Sequence, residues 1–239
     1  MKIQFDIRLL LIFSIIFLNK VSSQDEEIKE ILLKSINAHG GEVNLNKIKK
    51  IKYLKTTFTY DKMGDVENQI RQKITHELHP YSTEIESNNT LFKTNGIVTE
   101  IIEDGNNVSD LKSLNKAKSN LDGAFYVFWQ PMKLKDTGAI IKYMGVTSLP
   151  NKKNVHSLEV SYLDESDIWN FYFDTSSYLL IGTEVNHNNK VNLIYTTDFN
   201  TTDYGVFHHK RESYKLTENR SKLSIQASYI YNILDVVKE

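Results

Sequence analysis

Apolar positions along this chain change period twice, and the changes divide it into elements. Leu9 to Leu18 form an apolar run. Asp25 to Ala38 then carries Ile28, Ile31, Leu32, Ser35 and Ile36 at helical spacing, with acids in the first turn where the helix dipole favours them. His39, Gly40 and Gly41 end it, so the segment predicts an amphipathic helix that plugs a barrel end or backs a sheet. From Ile48 the period falls to two. Ile51 to Tyr60 reads as a strand with Leu54, Thr56, Phe58 and Tyr60 on one face, and Asp61 to Asp65 around Gly64 turns the chain. Val66 to Leu78 is ambiguous. Val66, Ile70, Ile74 and Leu78 repeat at four, as on a helix, while Glu67, Gln69, Arg71, Lys73, Thr75 and Glu77 alternate at two; the hairpin chemistry before it favours a strand. Short strands follow at Tyr81 to Ser87, Leu91 to Lys93 and Ile97 to Glu103, split by the turn dipeptides Asn88-Asn89, Asn95-Gly96 and Asp104-Gly105.

The strand pattern then stops. Ser109 or Asp110 can cap a helix carrying Leu111 and Leu114 that runs to about Ser119. Beyond it Phe125, Tyr126, Val127, Phe128 and Trp129 stand in a row between Gly123 and Pro131, a pattern of neither a clean strand nor a long helix. Two readings are open: a covering element, or a loop pinned to the core by its aromatics. Strands resume at Ile140 to Leu149, Val155 to Leu163, Val191 to Phe199, Val206 to Leu216 and Leu223 to Leu234.

Between them lies the clearest hairpin, Ile168 to Val185. Trp169, Phe171 and Phe173 alternate with Asn170, Tyr172 and Asp174, and Asp174 to Ser177 supplies turn formers. Leu179, Leu180 and Ile181 put aliphatics on both faces of the return strand, as expected where a sheet is covered on both sides. Strands about ten residues apart with turns between them predict a mainly β protein, a curved antiparallel sheet closing towards a barrel.

Composition bounds the rest. The 239 residues suit one large β-rich domain and contain no Cys, which removes disulfides and thiolate metal sites. Lys2 and Arg8 before the apolar run, and Val21, Ser22 and Ser23 after it, predict a secretory signal peptide cut near Ser23, leaving a single domain over 24–239. Residues 1–23 hold three basic side chains (Lys2, Arg8, Lys20) and one acidic (Asp6), so from totals of 29 and 30 the mature chain keeps a net charge of about −3. With charges interspersed and no basic stripe, nucleic acid is not an expected partner.

The familiar catalytic motifs are absent: no GxSxG elbow, P-loop, dinucleotide fingerprint or HExxH occurs. His76 and His79 would meet over a metal only on a helix, and the adjacent His208 and His209 point apart on a strand. These histidines are expected at the surface, with no metal and no cofactor. The acids Asp164, Glu165 and Asp167, and the pair Glu103 and Asp104, are expected as solvated turn caps.

Several pieces together resemble the LolA-like periplasmic lipoprotein-carrier superfamily and its exported relatives in Gram-negative bacteria. They are Ala38 to Gly41, Trp129-Gln130-Pro131-Met132-Lys133-Leu134 with Asp136, the hairpin Phe171 to Leu180, and Asp203-Tyr204-Gly205. The resemblance implies an incomplete β-barrel covered by helices, whose apolar interior holds lipid or the acyl chains of a lipoprotein without catalysis. Phe125, Phe128, Trp129 and Met132 would then lie on the cover, and Phe58, Tyr143, Trp169 and Phe171 on the wall. The chain is expected to act as a monomer in the periplasm. An envelope sensor that recognises a protein partner through the same fold is the alternative.

Overall fold

The computed structural model describes residues 24–162, 167–187, 190–217 and 223–238. The segment read as a signal peptide and the acids Asp164 and Glu165 lie outside them. Helices α1 (residues 24–38) and α2 (Glu42–Leu45) come first. Six strands follow: β1 (Ile48–Tyr60), β2 (Val66–Leu78), β3 (Tyr81–Ser87), β4 (Thr90–Thr94), β5 (Thr99–Glu103) and β6 (Asn106–Asn107). Helix α3 (Leu111–Phe128) and a 3-10 helix (Met132–Lys135) lead into β7 (Ala139–Ser148), β8 (Asn154–Tyr162), β9 (Ile168–Asp174), β10 (Leu180–His187), β11 (Lys190–Thr201), β12 (Val206–Leu216) and β13 (Leu223–Lys238).

All of these strands form one antiparallel sheet in the order β6-β5-β4-β3-β2-β1-β13-β12-β11-β10-β9-β8-β7. Each neighbouring pair is consecutive in sequence except β1 and β13, so the first and last strands meet at the centre. The sheet is curved and unclosed, with β6 and β7 at its free edges. This is the incomplete barrel expected from the sequence. The ambiguous Val66–Leu78 segment is a strand, paired along its length with β1. The tight turns also behave as read, with Asn88 and Asp104 at positive φ (51° and 49°), where Asn and Asp are tolerated.

Helix α3 corrects the sequence reading. Asp110 does cap it, accepting from the Ser113 amide at 2.8 Å, but the helix runs on through the aromatic row to Phe128. Five large side chains in succession hide a helical period. The period becomes visible in burial: Ala117, Leu121 and Phe128 are buried on one side. Packing against the sheet outweighs the local preferences of Gly123 and the aromatics.

Two apolar clusters fill the covered face of the sheet. One joins Leu121, Phe128 and Trp129 to Ile51, Tyr53, Ile74, Phe207 and Tyr231; Phe128 stacks on Tyr53 at 4.3 Å and on Phe207 at 5.4 Å between ring centroids. The other seats Ile28, Ile31 and Leu32 of α1 on Leu158, Val160, Phe171, Phe173 and Leu180. A third, on the opposite face, gathers Tyr172, Ile181, Leu193 and Tyr195. The hairpin β9–β10 is therefore apolar on both faces, as its sequence indicates.

The C-terminal end of α1 is fixed by backbone fit. Gly40 (φ +117°) lies against Gly205, where a Cβ would come within 2.6 Å of the Gly205 Cα. The Val206 amide donates to the His39 carbonyl at 3.0 Å. Two of the short motifs that carried the family resemblance, Ala38 to Gly41 and Asp203 to Gly205, thus touch in space, and both need glycine for that approach.

Candidate functional site

Besides its apolar packing, helix α3 is tied to the sheet by hydroxyl hydrogen bonds on both flanks. On one side the Tyr81 hydroxyl of β3 donates to Asp122 Oδ1 at 2.9 Å; on the other the hydroxyls of Tyr126 and Tyr162 of β8 lie 2.8 Å apart. Between these ties opens a cleft of about 640 Å³, walled by Tyr81, Asp122, Phe125, Tyr126, Tyr162 and Trp169. A second cleft of about 360 Å³ adjoins it, with Leu45, Leu78, Phe125, Trp129 and Met132 on its walls. Lys133 and Asp136 form an ion pair and border both. Lys133 also stands over the Phe125 ring at 5.4 Å. A third cleft of about 450 Å³ lies under the other flank of α3, over Tyr53, Lys55, Ile74 and Tyr231.

The electrostatics of these walls follow from burial. The Tyr81 hydroxyl is pushed up to about 12, chiefly by burial and further by its bond to Asp122, so it remains a donor at ordinary pH. His76 lies behind Phe125 and Phe128, with its Nε2 2.9 Å from the Tyr53 hydroxyl and its Nδ1 3.1 Å from Thr83 Oγ1. Burial holds it neutral, at about 3.

The residues singled out from sequence fall in four places. Phe125, Trp129, Met132 and Trp169 line the two adjoining clefts. Phe128 and Phe171 are fully packed in the two clusters beneath, and Tyr143 sits on the α1 side with its hydroxyl 2.9 Å from His156 Nδ1. Phe58 is brought together with none of them. It is five residues from Tyr53 on a regular stretch of β1, so it leaves the sheet on the face away from α3. The sequence led to that choice because the α3-facing positions Lys55, Thr57 and Thr59 look like a solvent face. Tyr81, Asp122, Tyr126 and Tyr162 were missed. Their signal, a tyrosine on each of two distant strands and a partner at each end of one helical turn, appears only once the topology is known.

The histidines also depart from expectation. His39, His76 and His208 are buried rather than superficial. His39 is held neutral near 4 by burial, with Nδ1 2.7 Å from the Val206 carbonyl and Nε2 accepting from the Leu180 amide at 3.1 Å. His208 and His209 do point apart, the first to Thr196 at 3.0 Å and the second to Asp198 at 2.7 Å. Among the described residues no cluster of three His, Asp or Glu is placed to hold a metal.

Fold and clefts together define a half-barrel scaffold covered by helices. No family model matches the chain, and no curated protein matches it. Among solved structures it shares its fold with a DUF1329 family protein from Desulfovibrio piger, at 7% identity over 88% of this chain and 92% of that one, TM-score 0.51. A LolA superfamily protein from Nitrosomonas europaea aligns at 9% identity over 88% and 93%, TM-score 0.45. The Mycobacterium tuberculosis lipoprotein LppX aligns at 9% over 86% and 94%, TM-score 0.29. Among the described residues no helix is long and apolar enough to cross a membrane.

Proposed function

We propose that this protein is a non-enzymatic binding protein of the periplasm, exported by a cleaved signal peptide, that holds a lipid or the acyl chain of a lipid-modified protein. The observation that carries this reading is the pair of adjoining clefts beneath α3, walled mainly by aromatic and aliphatic side chains with Asp122, Lys133 and Asp136 at their borders. Their size falls in the range of about 300–1,000 Å³ usual for small-molecule sites. Each methylene withdrawn from water there contributes about 0.8 kcal/mol, so a long chain needs no specific polar contact to be held. In this reading Phe125, Trp129, Met132 and Trp169 touch the chain, Phe128 and Phe171 support them from below, and the protein works as a monomer.

The test is mass spectrometry of an organic extract of the purified protein made in a Gram-negative host with its own leader. Stoichiometric acylated lipid is the expected result. Replacing Trp169 by Glu, at a half-buried position on the cleft wall, should abolish uptake of a fluorescent fatty acid while leaving the circular dichroism spectrum unchanged. A folded variant that still takes up the probe would remove Trp169 from the site. An empty wild-type protein that takes up no fatty acid would transfer the reading to recognition of an envelope protein partner.

A further inference from the structure

Arg211 is the one arginine among the buried side chains of the described residues, 3% exposed on the α3-facing side of β12. Its Nη2 donates to Thr183 Oγ1 at 3.0 Å across β11, and its Nε is buried without a partner. Among the described residues it forms no ion pair. A guanidinium keeps its charge at any accessible pH, so the fold carries an uncompensated buried cation. Beside it, His208 Nδ1 is engaged with Thr196 Oγ1 while His208 Nε2 is buried and unpartnered. Thr196 is the direct cross-strand neighbour of Arg211. Two unused buried nitrogens therefore belong to one polar cluster within an otherwise apolar wall.

On the β1 side of the cluster the charges have one sign. The strand register places Tyr229 opposite Arg211 on one side and opposite Thr57 on the other. Lys55, two residues along β1 on that same face, holds its ammonium over Tyr229 at 5.2 Å and over Tyr231 at 5.9 Å. The two cross-strand rows Ile70–Thr57–Tyr229–Arg211–Thr196 and Gln72–Lys55–Tyr231 contain two cations and no Asp or Glu. Lys55 and Tyr231 also line the 450 Å³ cleft beneath Ala124 and Val127. Tyr229, in register with Arg211 and under the Lys55 ammonium, stands between that cleft and the cluster.

We propose that Arg211, with Thr183 and His208 around it and Lys55 at its approach, forms an oxyanion subsite, so that the ligand is an acidic amphiphile held with its charged end inward. The inference rests on the acyl-binding reading and narrows it: a long-chain acid or phosphate monoester is favoured over a neutral lipid. The guanidinium supplies parallel N–H donors to a carboxylate or phosphate, the apolar surroundings keep water from competing, and the chain runs outward under α3.

The experiment is a titration of the purified protein with palmitate, monohexadecyl phosphate and hexadecanol, followed by calorimetry, for the wild type and for Arg211→Met, Arg211→Lys and Lys55→Gln. The wild type is expected to bind at least one of the two anions about tenfold or more tightly than the alcohol. Arg211→Met should erase that preference and leave hexadecanol affinity unchanged, Arg211→Lys should keep part of it, and Lys55→Gln should lower it only severalfold. Whichever anion binds more tightly identifies the head group as carboxylate or phosphate. Equal binding of all three ligands, or a preference that survives in Arg211→Met, overturns the subsite and leaves acyl binding standing. Failure of all three to bind the wild type removes both.

Discussion

Helices α1 and α3 cover the same sheet and are held in opposite ways. Helix α1 is seated by a continuous stripe, Ile28, Ile31, Leu32 and Ile36, and its end is locked by His39 and by the contact of Gly40 with Gly205. Helix α3 is packed through Ala117, Leu121 and Phe128 on one side only, while its flanks are tied to the two sides of the sheet by hydroxyl bonds with clefts beside them. One cover is a plug and the other a bridge. The clefts open along the flanks of α3, where hydrogen bonds cross gaps beside its apolar seating.

This contrast can be broken most severely at the plug. Gly40→Val puts a branched side chain at φ +117° and against backbone, where no rotamer relieves it, and soluble folded protein should be lost. Phe128→Ala, at the anchored end of the bridge, should cost about 3–5 kcal/mol in urea denaturation, because a cavity opens between Tyr53 and Phe207.

Acid should weaken both helices' supports. His39 and His76 have native values near 4 and 3, below the free value of 6.5, because burial penalises the charged ring. Below pH 6.5 the unfolded chain binds protons at these sites that the native chain does not. Stability is then complete above about pH 6.5 and falls as pH drops, by about 1.4 kcal/mol per pH unit per histidine until the native value is reached. Denaturation midpoints between pH 7.5 and 4.5 measure the slope, and a flat profile would contradict the burial of these rings. The smallest effect is expected at the bridge itself. Tyr126→Phe should cost about 0.5–1.5 kcal/mol in stability yet speed amide exchange in the middle of α3 far more than in α1.

The strand order was largely legible because the hairpins are local. Turn pairs such as Asn88-Asn89 and Asp104-Gly105 need only short-range geometry, and a hairpin places its strands side by side wherever it sits in the fold. Which face turns inward was less legible. Tyr53 and Lys55 share the covered side of β1, and Lys55 suggests solvent to any reader who does not know that Tyr229 and Tyr231 lie under its ammonium. The candidate site was legible only as a composition, an aromatic segment on the cover and aromatic strands beneath it, and not as an assembly. Phe125 and Trp169 stand on elements that the sequence does not connect and meet only because α3 spans the gap. Arg211 gave no signal, since an arginine in an alternating strand normally marks the wet face.

The pairing of β1 with β13 has a consequence for how the molecule is made. Every other strand contact joins segments adjacent in sequence, whereas this one closes a loop of most of the chain, Thr56 meeting Ile230. The two wings can each zip up from local turns, but the seam that unites them must wait for the last strand. Loop-closure entropy then makes the seam the slow step of folding, and a nascent or truncated chain lacking β13 presents β1 and β12 as two bare, unpaired edges to any neighbour.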